Sequence, residues 1–377
     1  MQIPLIIMTI TKYFLAITSV LILVNCKQES KTDTAVMSFK SPTYNYEYVL
    51  KSFNPKDIGY GEETNGKMSH QSMACGLTAM AAAHMKDTRT AIKSGDCLLK
   101  TISKSKGIGW GLGWAWDAFN DGTINSKDTV YGITTAIAIL GLLDAEELTG
   151  VSKYSDAALE ALNYYSNFIT HEKDQAFFWY SDSRNDAFNV HNVNSMMAYA
   201  FAKGGKRFNR QKFSNLAKHS MKAVKHGALE KNGGVSWKYS ELEKSRYNDS
   251  VHAAYIVHGI RGVEKIVNTT YLNSDKLLKY LKGFYNNAGF VLEFRHDELP
   301  LKRKEKYARG WGLGMLSVAV GSDLGDLELG KNIYRTLASY EFKPHRFSYH
   351  YTDKQNIPRS NAHILLALAK MQNQTVK

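Results

Sequence analysis

The chain has 377 residues, of which 44% are hydrophobic and only six are proline, with 48 Lys and Arg against 35 Asp and Glu for a formal net charge of +13. That apolar content, without any low-complexity run, excludes a disordered chain and is enough for one large domain or two ordinary ones. The positive balance points to an anionic partner.

In chain order, the first 25 residues carry one charge, Lys12, followed by the apolar run YFLAITSVLILVN and then Cys26. A short basic region, an apolar core and a cysteine have the shape of an export signal rather than of a buried helix. The segment LVNC resembles the lipobox of bacterial lipoproteins, although Asn25 stands where that pattern has Gly, Ala or Ser; Met8 would serve equally as the start. The resemblance implies cleavage of residues 1–25 and a lipid anchor on Cys26. With Lys27 next, it implies an outer-membrane lipoprotein facing the periplasm or the cell surface. Residues 26–41 are polar and poor in large apolar groups, a flexible tether, and residues 42–377 form the domain. Apart from the leading segment, no run is long and apolar enough to span a bilayer.

Cys75 and Cys97 remain once Cys26 is set aside. In an exported protein they can form one disulfide, but Cys75 lies in an apolar helical run and fits equally as a small buried hydrophobe. An exported protein is not expected to meet nucleic acid, so an acidic polymer or anionic surface is the natural partner. The densest basic cluster is Lys302, Arg303, Lys304, Lys306 and Arg309.

Apolar segments recur along the chain. They begin at His70, Tyr131, His191, His252, Arg309 and His363, with separations of 61, 60, 61, 57 and 54 residues. Fixed periods of this size signal stacked supersecondary units. Each segment is rich in Ala, Gly, Met, Leu and Ile and reads as a helix buried nearly all round. Between them lie stretches with an apolar stripe and a charged back, residues 152–169, 210–229, 273–287 and 324–340. The unit is an outer amphipathic helix, a loop and an inner apolar helix. Six such hairpins resemble the (α/α)6 toroid of the six-hairpin glycosidase and polysaccharide-lyase superfamily, an all-α ring. Both terminal units look like the middle ones, whereas the ends of an open solenoid usually become polar caps.

Such a ring gathers the N-terminal ends of six inner helices at one mouth, where unpaired N–H groups and a partial positive potential suit carboxylates. RYNDS, residues 246–250, is then the loop and cap of the fourth inner helix, with Asp249 or Ser250 as the capping residue. His252 and Tyr255 are three apart and share a face. Tyr131, His191, Arg309, His363 and His70 hold the matching positions on the other hairpins. Aromatic residues crowd the preceding loops, and Trp110, Trp116 and Trp237 are the candidates for stacking on sugar faces.

No G-x-S-x-G, phosphate loop or H-E-x-x-H occurs. Zinc held by histidines from separate hairpins has no short-range spacing to support it, so neither metal nor cofactor is expected. A glycoside hydrolase needs two carboxyl groups across the scissile bond, and Asp117, Asp182, Asp186 and Asp249 are available. A lyase on uronic acids must neutralise the substrate carboxylate, remove the neighbouring C5 proton and protonate the departing O4. Toroidal alginate and related polyuronate lyases use Asn, His, Arg and Tyr in these roles, and HNVN at 191–194, NDSVHAAY at 248–255 and YAR at 307–309 resemble that set. The resemblance implies Asn194 and Arg309 on the carboxylate, His252 or His191 as base and Tyr255 as proton donor, with a Tyr as both base and acid and His only binding as the alternative. Arg246, Tyr307, Tyr131, His70 and His363 would hold neighbouring sugars. The expectation is therefore a monomeric polysaccharide lyase acting on an acidic glycan. A hydrolase, a uronate C5-epimerase or a glycan-binding surface lipoprotein on the same scaffold are the alternatives.

Overall fold

A computed structural model describes residues 44–103, 108–119, 121–231, 233–242, 246–297 and 306–372. The expected export signal, Cys26 and the tether lie outside the described residues, as do Lys302, Arg303 and Lys304. Among the described residues no helix is long and apolar enough to cross a membrane.

Thirteen α-helices among the described residues alternate between an outer and an inner layer. The inner layer is α2 (Ser72–Met85), α4 (Gly132–Thr149), α6 (His191–Arg207), α8 (Ser250–Val267), α10 (Gly310–Ser317) and α13 (Pro358–Gln372). Residues Val318–Asp323 extend α10 as a π-turn. The outer layer is α1 (Tyr46–Leu50), α3 (Thr88–Lys100), α5 (Ser152–Tyr165), α7 (Gln211–His226), α9 (Ser274–Lys282) and the pair α11 (Leu327–Gly330) and α12 (Asn332–Leu337). Each inner helix packs on the next, and α13 packs back on α2, which closes the ring. The fold is the all-α (α/α)6 toroid.

The two layers differ as their sequences dictate. In α2 every residue from Ser72 to Ala82 is buried, because the helix is enclosed by two inner neighbours, an outer helix and the ring interior. In α3, by contrast, Ala91, Ser94 and Leu98 form a buried stripe behind a charged face. Its N-cap Asp87 accepts the Thr90 N–H at 3.0 Å, which satisfies one of the orphan donors of the first turn. Full burial of a side chain such as Leu77 or Ile137 contributes roughly 1.5–3 kcal/mol.

Small residues set the spacing of the inner helices. Gly76 faces the Ile137 carbonyl of α4, Gly141 faces Gly76 in return, and Gly314 of α10 faces the His363 backbone of α13; a Cβ at any of the three would overlap its neighbour. Cys75 and Cys97 are bridged, joining α2 to α3 across a sequence separation of 22. Closing a loop of that size in the unfolded chain stabilises the fold by about 3 kcal/mol in the chain-entropy account. Ring closure is reinforced at the chain's ends: Tyr44 and Tyr48 donate to Glu341 at 2.9 and 2.6 Å, and the Tyr46 N–H donates to Gln372 Oε1 at 2.8 Å.

Several local expectations are corrected. Four of the outer-to-inner connections are not plain loops but short antiparallel hairpins: β1–β2 (Tyr60–Glu62, Met68–His70), β3–β4 (Ile169–Glu172, Gln175–Phe178), β5–β6 (Leu229–Lys231, Gly234–Ser236) and β7–β8 (Glu341–Lys343, Arg346–Phe347). His70 therefore ends a strand rather than opening a helix. His363 is the sixth residue of α13, not its first, because Pro358 starts that helix; proline's fixed φ and missing N–H suit the first helical position.

Candidate active site

A cavity of about 380 Å³ opens where the inner helices begin. Asp249 is its organising residue. As N-cap of α8 it accepts the His252 N–H at 3.1 Å, and its Oδ1 also lies 2.5 Å from His252 Nδ1. Its Oδ2 accepts from Arg309 Nη2 at 2.8 Å and lies 3.5 Å from Arg246 Nη1. Burial alone would raise the Asp249 carboxyl, but His252, Arg309 and Arg246 hold it far below the usual carboxylate range. Facing an ionised carboxylate, His252 Nδ1 carries the proton and Nε2 is left as a bare acceptor. Burial, helped by the two arginines, lowers the His252 pKa against the pull of Asp249 and keeps the ring neutral near pH 7. The His252 side chain remains 19% exposed, on the cavity wall.

One helical turn deeper, Tyr255 reaches both the cavity and His363. His363 Nδ1 lies 2.7 Å from the Arg359 carbonyl, an acceptor only, so Nδ1 carries the proton and Tyr255 donates its O–H to Nε2. Burial lowers the His363 pKa to about 3. The Tyr255 hydroxyl is pushed well above its ordinary value, again by burial.

Three guanidinium groups face this dyad. The Arg309 and Arg359 guanidiniums each lie 4.6 Å from the Trp311 ring, and Arg246 lies 4.2 Å from the Tyr239 ring. Behind Arg309 stands Glu293, which pairs with its guanidinium and accepts its backbone N–H at 2.9 Å. Behind Arg359 stands Glu63 at 3.1 Å. Burial raises the pKa of both glutamates against the arginines' opposing pull. Three carboxylates thus stand against the three arginines, and of those carboxylates only Asp249 lines the cavity. Arg309 Nε, Arg359 Nε and Trp311 Nε1 are buried donors without a hydrogen-bond partner among the described residues, and all three residues line the cavity. Unmet buried donors are costly, and clustered beside guanidinium groups they suit an anionic oxygen ligand.

The structure separates the remaining sequence candidates. Tyr131 and Trp116 line the cavity with ring centroids 6.0 Å apart, and burial raises the Tyr131 hydroxyl to about 12. His191 does not reach the cavity. It is buried against Gly227, and burial lowers its pKa to about 4. Asn194 is also sealed, accepting the Phe178 N–H at 2.6 Å and donating to Asn189 Oδ1 at 2.8 Å; it ties β4 to α6 and cannot meet a ligand carboxylate. Tyr307 packs between Phe290 and Tyr351, off the cavity wall. His70 sits outside the cavity, 2.7 Å from Asp57. Asp117 caps its own loop by accepting from Gly122 at 2.9 Å, Asp182 accepts from Tyr164 at 2.8 Å, and Asp186 from Asn125 at 2.7 Å; none lines the cavity.

Trp110 and Trp237 are plugs rather than stacking platforms. Both are fully buried, and their Nε1 groups donate at 2.8 Å to the last-turn carbonyls of Leu98 in α3 and Val224 in α7. Trp110→Ala is expected to cost about 3–5 kcal/mol in denaturant unfolding. Trp116, 38% exposed, should tolerate the same change within about 0.5 kcal/mol.

Arg359, Trp311, Glu293 and Glu63 were not singled out from sequence. Pro358 was the missed signal, since a helix opening at that proline brings Arg359 to the mouth. Among the described residues no three His, Cys, Asp or Glu side chains gather as a metal site.

The fold and this mouth define a toroid with a His–Asp pair in a cavity lined by arginine and aromatic side chains. No family model matches the chain, and no curated protein matches it by sequence. Solved structures similar to it include an alpha-amylase from Clostridium perfringens, with TM-score 0.62 and 13% identity over 86% of this chain and 96% of that one. A GH76 alpha-mannanase from Bacteroides thetaiotaomicron matches with TM-score 0.61 and 11% identity over 89% and 98%. Cellobiose 2-epimerase from Bacillus thermoamylovorans matches with TM-score 0.61 and 10% identity over 87% and 96%. At such identities the likeness shows the fold alone.

Proposed function

We propose that this chain is a carbohydrate-acting enzyme that cleaves an acidic, uronate-containing glycan by β-elimination. The observation that carries the reading is the neutral His252, oriented by an ionised Asp249, on the wall of a cavity lined by Arg246, Arg309 and Arg359. In this reading Arg309, Arg359 and the Trp311 N–H bind the substrate carboxylate and offset the charge that grows when C5 loses its proton. His252 Nε2 takes that proton. The C5–H electron pair becomes the C4=C5 double bond as the C4–O4 bond breaks, and Tyr255 protonates the departing O4. For that step the Tyr255 O–H must turn from His363 to the leaving oxygen, exchanging one hydrogen bond for another.

Hydrolysis needs a carboxylic acid and a second carboxylate on opposite sides of the scissile bond. Asp249 is the one carboxylate among the described residues lining this cavity and is held ionised by its partners, while the alpha-amylase and the alpha-mannanase among the similar structures keep hydrolysis as an alternative reading. A C5-epimerisation begins with the same proton abstraction and is the second reading; cellobiose 2-epimerase among the similar structures favours keeping it. The sequence-based reading of residues 1–41 places the enzyme as an outer-membrane lipoprotein anchored at Cys26. Radiolabelled-palmitate incorporation that is lost in Cys26→Ala tests that part.

The decisive assay is incubation with alginate, glucuronan and other polyuronates. Ultraviolet absorbance from the new conjugated double bond supports elimination. Reducing ends without that absorbance overturn it in favour of hydrolysis, and deuterium uptake from solvent at C5 without chain cleavage overturns it in favour of epimerisation. Binding without turnover leaves only a glycan-binding protein.

A base must be unprotonated to act, so kcat/KM should rise with pH through an apparent pKa below the ordinary histidine value of 6.5 and then stay level, because Tyr255 keeps its proton far into the alkaline range. Asp249→Asn removes the charge that favours imidazolium, so it should move the acidic limb to still lower pH. Trp116→Ala should weaken substrate binding by about 0.5–1.5 kcal/mol through lost ring contact.

A further inference from the structure

A second cavity, of about 460 Å³, lies beside the first. It is bounded by the β1–β2 hairpin, the end of α3 and the loop that carries Trp116. The two share Leu112, and the consecutive residues Ser72 and Met73 at the start of α2 line one each. Leu112 is thus the wall residue at which a polymer bound in the central cavity would pass toward this groove.

We infer that the groove is a distal subsite for a further uronate unit of the same glycan, held by Lys100, Lys127, Ser69 and the Tyr60 ring. The inference rests on the acidic-glycan reading of the central cavity. Lys100 Nζ and His70 Nε2 lie 2.9 and 2.7 Å from the same oxygen of Asp57, so one carboxylate faces two nitrogen groups and Lys100 keeps N–H bonds for a ligand. Lys127 is exposed, with no ion-pair partner among the described residues. Ser69 Oγ is buried without a hydrogen-bond partner among the described residues. Tyr60, whose ring lies 4.9 Å from that of His70, supplies the flat apolar surface a pyranose needs. Asp128 also lines the groove and Asp57 pairs with Lys100, so among the described residues Lys127 is the cation left for a sugar carboxylate.

The test compares kcat/KM for a hexauronate with that for a trisaccharide of the same polymer, in low-salt buffer. In the Lys100→Ala/Lys127→Ala enzyme the hexamer-to-trimer ratio is expected to fall about tenfold, the effect of losing two partly exposed ion pairs. The wild-type ratio should itself decline as salt is added. Lys127→Ala alone, which breaks no ion pair among the described residues, should give part of the fall and guards against misfolding of the double variant. Cleavage of both oligomers with ratios within twofold of wild type overturns the subsite and leaves the central reading intact. A wild-type protein that neither cleaves nor binds any polyuronate overturns both.

Discussion

His252→Gln is expected to lower kcat on a polyuronate by roughly 10²–10⁴-fold, the range that a positioned general base contributes, with the far-ultraviolet circular dichroism unchanged. Glutamine has no nitrogen lone pair able to take a proton, yet its amide can still donate to Asp249, so the buried carboxylate keeps a partner and the mouth keeps its shape. His191→Gln provides the contrast. That side chain is sealed against Gly227 and has no path to the cavity, so kcat/KM should stay close to wild type. Tyr255→Phe should reduce kcat much as His252→Gln does while preserving ring packing; it also leaves His363 Nε2 without a donor, a cost that appears in unfolding experiments rather than in turnover. Full activity in His252→Gln, or its loss in a well-folded His191→Gln, would reverse the assignment.

The second large effect concerns stability. Arg309 joins two buried carboxylates, Asp249 and Glu293, each no more than 3% exposed. Removing one partner of a buried ion pair leaves an uncompensated charge and typically costs 3–5 kcal/mol. Arg309→Leu is therefore expected to lower unfolding free energy by about that amount, measured by urea titration at neutral pH. The pH dependence carries a definite sign. Without the guanidinium, burial and the neighbouring Asp249 drive the Glu293 pKa further above its unfolded value, so the folded state binds the extra proton and the deficit shrinks as pH falls below neutrality. Adding Glu293→Gln to Arg309→Leu should recover part of the loss, a coupling that a double-mutant cycle isolates. Arg309→Lys should restore charge but not the fork that spans Asp249, Glu293 and Tyr349. A loss below about 1 kcal/mol in Arg309→Leu would mean that the two carboxylates are satisfied some other way.

The ring was legible because its inner helices are enclosed on every side, which forces long runs of Ala, Gly, Leu and Met at a regular interval. The mouth hairpins were not, since strands of two to four residues such as Arg346–Phe347 are too short to show an alternating pattern. Within the site, Asp249, His252 and Tyr255 could be found because they share one helix start, and capping chemistry ties Asp249 to it. His191 and Asn194 misled for a geometric reason. His191 is the first residue of α6, whereas His252 is the third of α8, and two residues turn a helix by about 200°. Equating His191 with His252 therefore equates opposite faces of their helices. Arg359, Glu293 and Glu63 arrive from distant parts of the chain, and only the closed ring brings them together.

The glycine contacts between inner helices bear on how this molecule can move. Gly76 against Gly141 and Gly314 against the His363 backbone place main chain on main chain, and a glycine has no rotamer to exchange. Such seams cannot yield by side-chain repacking, so the frame beneath the cavity is stiff, and compliance on ligand entry must come from the rim. Rim segments can accordingly change without disturbing the packing of the ring itself.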